Sequence, residues 1–457
     1  MMFGKRLKPT DVAVAAPNYA WTSGTVYTRY DSTQPMTGLS FYVVAPPTQL
    51  GAYWNLYVCV DNADGAPSTT APALVQQTTF QTSDGYRWRY VGAVTDQQYV
   101  QFATQDWVPV FANATVQLSA ATYSGIEVIP VTDGGSGYST YDSGVVGFVP
   151  NSQCFQIVSS NGSSQYNGFY VDSDIYVYNE SQLNPAQLLT VTQYVSNVSG
   201  NWIFVSPPLN TAYVTSYQTL YSIAPAVEID SDGIIPPQAY AVVNSQANSI
   251  QNIVVIETGS DVSWANVSIV ANSYYGSGAN AYAIAPPPGG FGSDPASELG
   301  ASAMSITFEF SNTELGTIPV GVSYSRVGIV QDPYQLNPDG SKSPLPVTAN
   351  TFNQLLQAGS TPSTAIFPVG SIVQGQVSGA YGMVAVSNNQ ALWLTGDKTF
   401  SAGEVVASLD GTIEATITVS HLGDVYTRDL RPIYVQNINS ATRTATTSEA
   451  YRLVISI

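Results

Sequence analysis

Short runs of largely apolar positions, alternating with polar ones only in part, recur early in the chain: GLSFYVVA from Gly38, YWNLYVCVD from Tyr53, YRWRYVGAV from Tyr86 and YVQFAT from Tyr99. β-Branched and aromatic residues in such runs predict strands, and the DNADG and TSDG segments among them predict tight turns. Asp84-Gly85 is a good turn pair. In the strand that follows it, Tyr86, Trp88 and Tyr90 fall on one face and Arg87 and Arg89 on the other, which predicts one dry and one wet face. The best helical pattern is TANTFNQLLQAGS from Thr348, where Phe352, Leu355 and Leu356 share a face and Gly359 can stop the helix. Just before it, DPYQLNPDGSKSPLPV from Asp332 to Val347 reads as linker.

Two internal echoes interrupt this pattern. FPVGSIVQGQVSGA from Phe367 and FSAGEVVASLDGTIEA from Phe400 place Phe367/Phe400, Gly370/Gly403 and Val373/Val406 in pairs spaced by 33 residues. Each copy reads as strand, glycine turn, strand. A weaker echo relates VTDGGSGY at Val131 to IETGSDVSW at Ile256, read as a degenerate duplicated β unit flanking an insertion.

Composition agrees with a mainly β chain. The 457 residues include Gly 37, Pro 28 and Tyr 30, a set that favours strands and turns. The length suits two to four domains. Charged residues make up only 10%, against about 25% in typical soluble domains. The net charge of −18 sets the mean field against nucleic acid and anionic membrane. No Lys or Arg lies between Tyr90 and Ser325. That stretch cannot follow a polyphosphate by charge pairing.

No apolar run approaches the ~18 residues of a membrane helix. The opening MMFGKRLKPTDVAVAAPNYA imitates a signal peptide, but its apolar run is short and Asp11 interrupts the approach, so a cytosolic start is expected. Cys59 and Cys154 are too few for a disulfide framework or a thiolate zinc site and are expected to be small buried thiols.

Candidate chemistry is sparse. His421 is the one histidine, and no G-x-S-x-G elbow accompanies it, so a surface position is expected. Acidic pairs at Asp61/Asp64, Asp172/Asp174 and Asp230/Asp232 lie near turn residues. Asp230-Ser-Asp232-Gly begins like a calcium loop but lacks the third oxygen ligand and the distal Glu, which leaves turn chemistry as the better reading. A two-carboxylate glycosidase stays open, although nothing selects a pair. The glycine-rich PPPGGFGSDPASELGA at Pro286 is the one candidate phosphate cradle. It has no P-loop Lys, Asp294 puts negative charge at the start of its short helix, and Gly300 ends that helix after about a turn. The loop therefore reads as a structural corner.

Around this loop the chain resembles a known family. AYAIAPPPGGFGSDPASELGASAMSITFEF and SRVGIVQDP at Ser325 are similar to segments of the baseplate wedge subunit of contractile-tailed, T-even-like and cyanophage-like bacteriophages. So, in the same order, are WTSGTVYTRYD at Trp21, YVCVDNADGAPST at Tyr57, FQTSDGYRWRYVGAV at Phe80, VTDGGSGYST at Val131, GDVYTRDLRPI at Gly423 and the closing SEAYRLVISI. The chain departs from the family pattern at Phe291, where the family carries a His, and at Asp429 to Ile433.

The resemblance implies a non-enzymatic virion protein of the tail baseplate, made in the host bacterial cytoplasm. It implies a homodimer that contacts other baseplate wedge subunits and relays baseplate rearrangement during tail contraction, with no nucleic acid, membrane or cofactor and with no catalytic or metal residue assigned. Combined with the charge map, it implies a discontinuous β-sandwich core at 1–118, 299–332 and 421–457, a large inserted β domain at 119–298 and a small β insertion carrying the repeat at 333–420. A tail-fibre or adhesin-type glycan-binding protein is the main alternative, with another tail or neck protein next.

Overall fold

A computed structural model of the chain describes residues 6–47, 53–138, 142–160, 162–179, 186–210, 219–244, 246–270, 276–310, 323–331, 333–337, 339, 341–346, 354–358, 367–368, 370–387, 390–395, 398–421, 423, 425–442, 444, 446 and 448–457. The chain is mainly β, with 51% strand against 8% helix. It divides into two compact units, Ala13–Ser305 with Ile455–Ile457, and Met1–Val12 with Ile306–Val454.

In the larger unit the early strand runs form an antiparallel sheet in which Tyr42–Ala45, Tyr53–Asp61, Arg87–Thr95 and Phe80–Gln81 lie side by side in that order. Both faces are covered. Tyr42, Val44, Leu56, Val58 and Val91 pack with Val108, Ile284, Phe291 and Leu299 on one side. Val43, Tyr57, Cys59, Trp88 and Tyr90 pack with Tyr27, Tyr86 and Val116 on the other. The expected wet face is therefore a mistake, because Arg89 is buried and Arg87 half-buried. Both thiols are free and buried, and burial raises the pKa of each.

YVQFAT is also corrected. Asp96–Phe102 is a helix, since Thr95 accepts from the Gln98 N–H at 3.1 Å while Gln98 reaches back to the Thr95 N–H at 3.0 Å. Tyr99 of this helix stacks on Trp54 of strand Tyr53–Asp61 with ring centroids 3.8 Å apart.

Next in this unit come three antiparallel ladders: Val131–Ser136 with Ser277–Ala281, Val227–Ser231 with Ala265–Ile269, and Gln238–Asn244 with Ser249–Glu257. They share a core of Ile126, Ile129, Tyr138, Ala239, Ile253 and Val262. The weaker sequence echo does not mark equivalent structure, because Val131–Ser136 is a strand whereas the segment from Thr258 to Trp264 is a loop.

Six further strands close into an antiparallel barrel: Asp142–Val146, Cys154–Ser159, Ser173–Asn179, Gln187–Asn197, Gly200–Ser206 and Thr219–Pro225. Inward residues such as Phe155, Ile175, Val177, Leu189, Val191 and Ile203 fill it. The buried Asp142 carboxylate accepts from the Tyr170 and Tyr221 hydroxyls at 2.9 and 3.1 Å.

The smaller unit holds a second six-stranded antiparallel barrel, of Gln354–Ala358, Ile372–Gly375, Tyr381–Ser387, Ala391–Thr395, Val405–Ser408 and Glu414–His421. The expected helix near Leu355 and Leu356 is thus a strand, whose backbone pairs on both sides to close the barrel. Phe352 and Gly359, also used in that expectation, lie outside the described residues.

The 33-residue repeat appears here as repeated hydrogen bonding. Gly370 N–H donates to Val384 O and Gly403 N–H to Ile417 O, both at 2.7 Å. Gly375 N–H to Ala380 O at 2.9 Å recurs as Ser408 N–H to Ile413 O at 2.8 Å. Gly370 and Gly403 both have positive φ, +83° and +86°, which favours glycine. The central ladder Val373↔Ser408, Gln374↔Ala407, Gly375↔Val406 is symmetric about its middle pair, as a local two-fold requires.

The expected linker before this barrel contains a small hairpin, Tyr334–Leu336 with Lys342–Pro346. It is held by Lys342 lying 3.9 Å over the Tyr334 ring and 2.7 Å from Asp429. A longer ribbon pairs Ser323–Gln331 with Arg431–Thr442. Among the described residues no helix is long and apolar enough to cross a membrane.

Candidate functional site

The glycine-rich loop folds around one of its own carboxylates. Asp294 caps the single turn Pro295–Glu298, accepting from Ser297 N–H at 3.3 Å. Glu298 then turns back to accept from Gly292 N–H at 2.7 Å and Asp294 N–H at 2.9 Å. The amides that would cradle a phosphate thus hold Glu298 instead. Burial raises the Glu298 pKa, against those hydrogen bonds.

Around this turn the loop is wedged into the core. Phe291 is buried edge-on to Tyr30 with centroids 5.2 Å apart, and Leu299 enters the same cluster. Gly290 and Gly292 both have positive φ, and a Cβ on either would overlap the Ala120 carbonyl oxygen or the Val116 side chain of helix Ala114–Ala120. These glycines serve a close backbone approach.

The other sequence candidates are dispersed. His421 is exposed at the end of strand Glu414–His421. Asp61 accepts from Ala63 N–H at 3.2 Å, and Asp64 stands at positive φ in the following turn. Asp232 accepts from the Ser263 hydroxyl and from the N–H groups of Ser263 at 2.9 Å and Trp264 at 3.2 Å, and these hydrogen bonds, the hydroxyl's foremost, lower its pKa. Asp230 is exposed on its strand. Asp172 sits at positive φ, whereas Asp174 is buried and accepts from Val227 N–H at 3.1 Å. Burial pushes the Asp174 carboxyl up to about 7. Among the described residues no three His, Cys, Asp or Glu side chains gather as metal ligands.

Sequence reasoning missed a part-buried cluster of three charged side chains. Glu127, from the run SGIEVIP, lies 2.9 Å from the Arg87 guanidinium and 3.4 Å from that of Arg89, and accepts from Thr79 Oγ1 at 2.8 Å. Arg89 also lies 5.6 Å over the Tyr123 ring and donates to Tyr123 O at 3.1 Å. Burial lowers the Arg89 pKa, opposed first by Glu127. The only sequence signal was an isolated Glu inside an apolar run.

Arg87 and Glu127 border a polar cleft of about 890 Å³, together with Arg29, Asp31, Asp64 and Asn252. Asp31 in its wall is held below the usual carboxylate range: burial works against ionisation, but hydrogen bonds from Thr33 and Tyr282 outweigh it. The cleft offers carboxylate, guanidinium and amide groups to a polar ligand.

No family model, curated protein or solved structure matches this chain.

Proposed function

We propose that the chain is a structural virion protein, a baseplate wedge component of a contractile phage tail that joins neighbouring wedge proteins and relays rearrangement when the tail contracts. The supporting observation is how the segments that carry the resemblance pack. Trp21 donates to Ser68 Oγ at 3.1 Å, and Asp84 accepts from Ser68, Thr69 and Thr70. Tyr86 donates to Ala66 O at 2.5 Å, and Tyr282 to Asp31 at 2.7 Å. Tyr30 meets Phe291.

Motifs far apart in sequence thus brace one another through buried aromatic rings and turn-capping carboxylates. Residues shared for such reasons maintain a scaffold, which fits a protein whose work is holding interfaces.

Localisation in tail particles tests this reading. Labelled or imaged particles are expected to carry the chain at the baseplate, and the purified protein is expected to self-associate and to lack hydrolase activity. A protein that is absent from particles overturns the proposal. The polar cleft supports the second reading, a glycan-binding tail protein, and a glycan array separates the two because a wedge subunit binds nothing on it.

A further inference from the structure

The ladder of Val227–Ser231 with Ala265–Ile269 has two faces of opposite character. Val227, Ile229, Ala265, Val267 and Ile269 pack on the core shared by the three ladders. On the other face Glu228 lies opposite Ser268 and Asp230 opposite Asn266, and all four residues are exposed. Asp232 continues this row one step beyond the strand. It is exposed, and its bonds to the N–H groups of Ser263 and Trp264 set it across from Trp264. Three carboxylates thus stand in line at alternate positions, about 7 Å apart by the rise of a strand.

Apolar surface borders the row at one end. Trp264 is 49% exposed, and the loop after Asp232 carries Ile234 and Ile235 at 78% and 56%. Ile234 N–H donates to Ser260 O at 3.0 Å and Ser260 N–H to Ile235 O at 3.1 Å, which fixes this loop against the one before Trp264. The surface is therefore shaped before any partner arrives. Its charge is uncompensated. Among the described residues no Lys or Arg makes an ion pair with Glu228, Asp230 or Asp232. Between residues 13 and 305 the only cations are Arg29, Arg87 and Arg89, which line the polar cleft or hold Glu127. Like charges lined up on one face of a ladder repel, and an opposite charge brought to that face relieves the repulsion.

We infer that this face docks a cationic extended segment of a different protein, one with Lys or Arg at three alternate positions and an apolar residue beyond them. An extended segment repeats its side chains with the same period of about 7 Å, so three cations meet three carboxylates in register. The apolar residue then settles on Ile234 and Trp264, exposed apolar surface rimmed by charge being the mark of an interaction site. Trp264 also offers its ring to the cation nearest Asp232. A second copy of this chain is not the occupant, because nowhere in its sequence do three Lys or Arg residues stand at alternate positions. The acidic pair Asp230/Asp232 thereby gains a role beyond turn chemistry. A neighbouring wedge protein as the source of the segment rests on the assembly reading; the binding itself does not.

Fluorescence anisotropy with the full chain and a labelled, capped peptide, Lys-Thr-Lys-Thr-Lys-Val-Val, tests this. The peptide is expected to bind the wild-type chain and to bind less tightly as salt rises. Glu228→Gln with Asp230→Asn is expected to weaken binding by about tenfold or more. Asp106→Asn with Asp172→Asn removes the same charge from two exposed positions elsewhere and is expected to change it by about twofold or less. That pair separates the face from the mean field of a chain with net charge −18. Trp264→Ala is expected to cost about threefold or more. Glu228→Lys with Asp230→Lys is expected to bind the peptide whose lysines are replaced by Glu, which the wild-type chain rejects. If that reversed variant misfolds by circular dichroism, the two charge-neutralised pairs still decide the matter. A wild-type chain that leaves the peptide free at low salt, equal losses for the two neutralised pairs, or a reordered Lys-Lys-Lys-Thr-Thr-Val-Val bound as tightly as the alternating peptide each overturns the inference. None of these outcomes bears on whether the chain is found in tail particles.

Discussion

The two six-stranded barrels are closed by the same pattern of antiparallel neighbours, read from different starting points. With strands numbered one to six along the chain in each, the barrel at 142–225 closes in the order 1-2-5-4-3-6 and the barrel at 354–421 in the order 1-4-3-2-5-6. Moving the first strand of the former to its end converts one order into the other. Yet their interiors differ. The later barrel is filled by Leu356, Phe367, Val373, Val384, Leu394 and Phe400. The earlier one admits a carboxylate held by two tyrosine hydroxyls. Strand order is thus compatible with quite different cores, and it is the apolar barrel that carries the 33-residue repeat.

The largest effect expected from testing this comparison lies in the apolar barrel. Phe367→Ala and Phe400→Ala each remove a buried ring and are expected to cost about 3–5 kcal/mol. The two values should be alike if the halves are equivalent. Denaturant unfolding of the smaller unit checks this, and a large inequality breaks the local symmetry.

In the other barrel, Asp142→Ala strands the Tyr170 and Tyr221 hydroxyls and is expected to cost about 3 kcal/mol. Asp142→Asn, which keeps an acceptor, costs less. Equal losses for Ala and Asn would show that the hydroxyl pair does not depend on the acceptor.

A pH effect further separates the barrels. Asp174 is held at about 7 by burial, above its unfolded value of about 3.9, so the folded state retains a proton that the unfolded chain has lost. Its contribution to stability is fully present below pH about 4 and declines as pH rises to about 7. Asp174→Asn is expected to flatten that decline, with little change below pH 4, in unfolding curves taken at several pH values.

The smallest effect belongs to Glu404, the one buried carboxylate among the described residues of the apolar barrel, which accepts from Val377 N–H at 2.9 Å and Ser378 N–H at 2.8 Å. Burial opposes its ionisation, but the Ser378, Ser401 and Val377 donors win and lower its pKa. Glu404→Gln keeps an oxygen for these donors and is expected to cost about 1 kcal/mol by thermal or chemical unfolding. Its counterpart 33 residues earlier is Ser371, which donates to Pro368 O, so the two halves of the repeat are alike in backbone and unlike here.

Much of the fold was legible locally. Strand runs from Tyr53 and Tyr86, the Asp84-Gly85 turn and the 33-residue repeat all follow from periodicity and turn chemistry that act within a few residues. The Asp294 cap was legible too, and so was the mismatch between the glycine loop and a phosphate. What failed was decided elsewhere in the chain. Leu355 and Leu356 carry a helical spacing, but two partner ladders make them a strand. Tyr99 reads as strand, yet the Thr95/Gln98 capping box starts a helix there, and Tyr99 stacks on the distant Trp54.

By itself the sequence determined a mainly β chain, a stretch without cations, a duplicated module and a glycine corner rather than a cradle. Each of these depends on residue type and short-range spacing. Tertiary structure alone decided that Arg89 is buried against Glu127, that Asp142 faces two tyrosines inside a closed barrel, and that Ile433 and Trp264 stay exposed. Closure and burial arise from contacts between residues tens to hundreds of positions apart, and no local period records which distant strand will supply the partner.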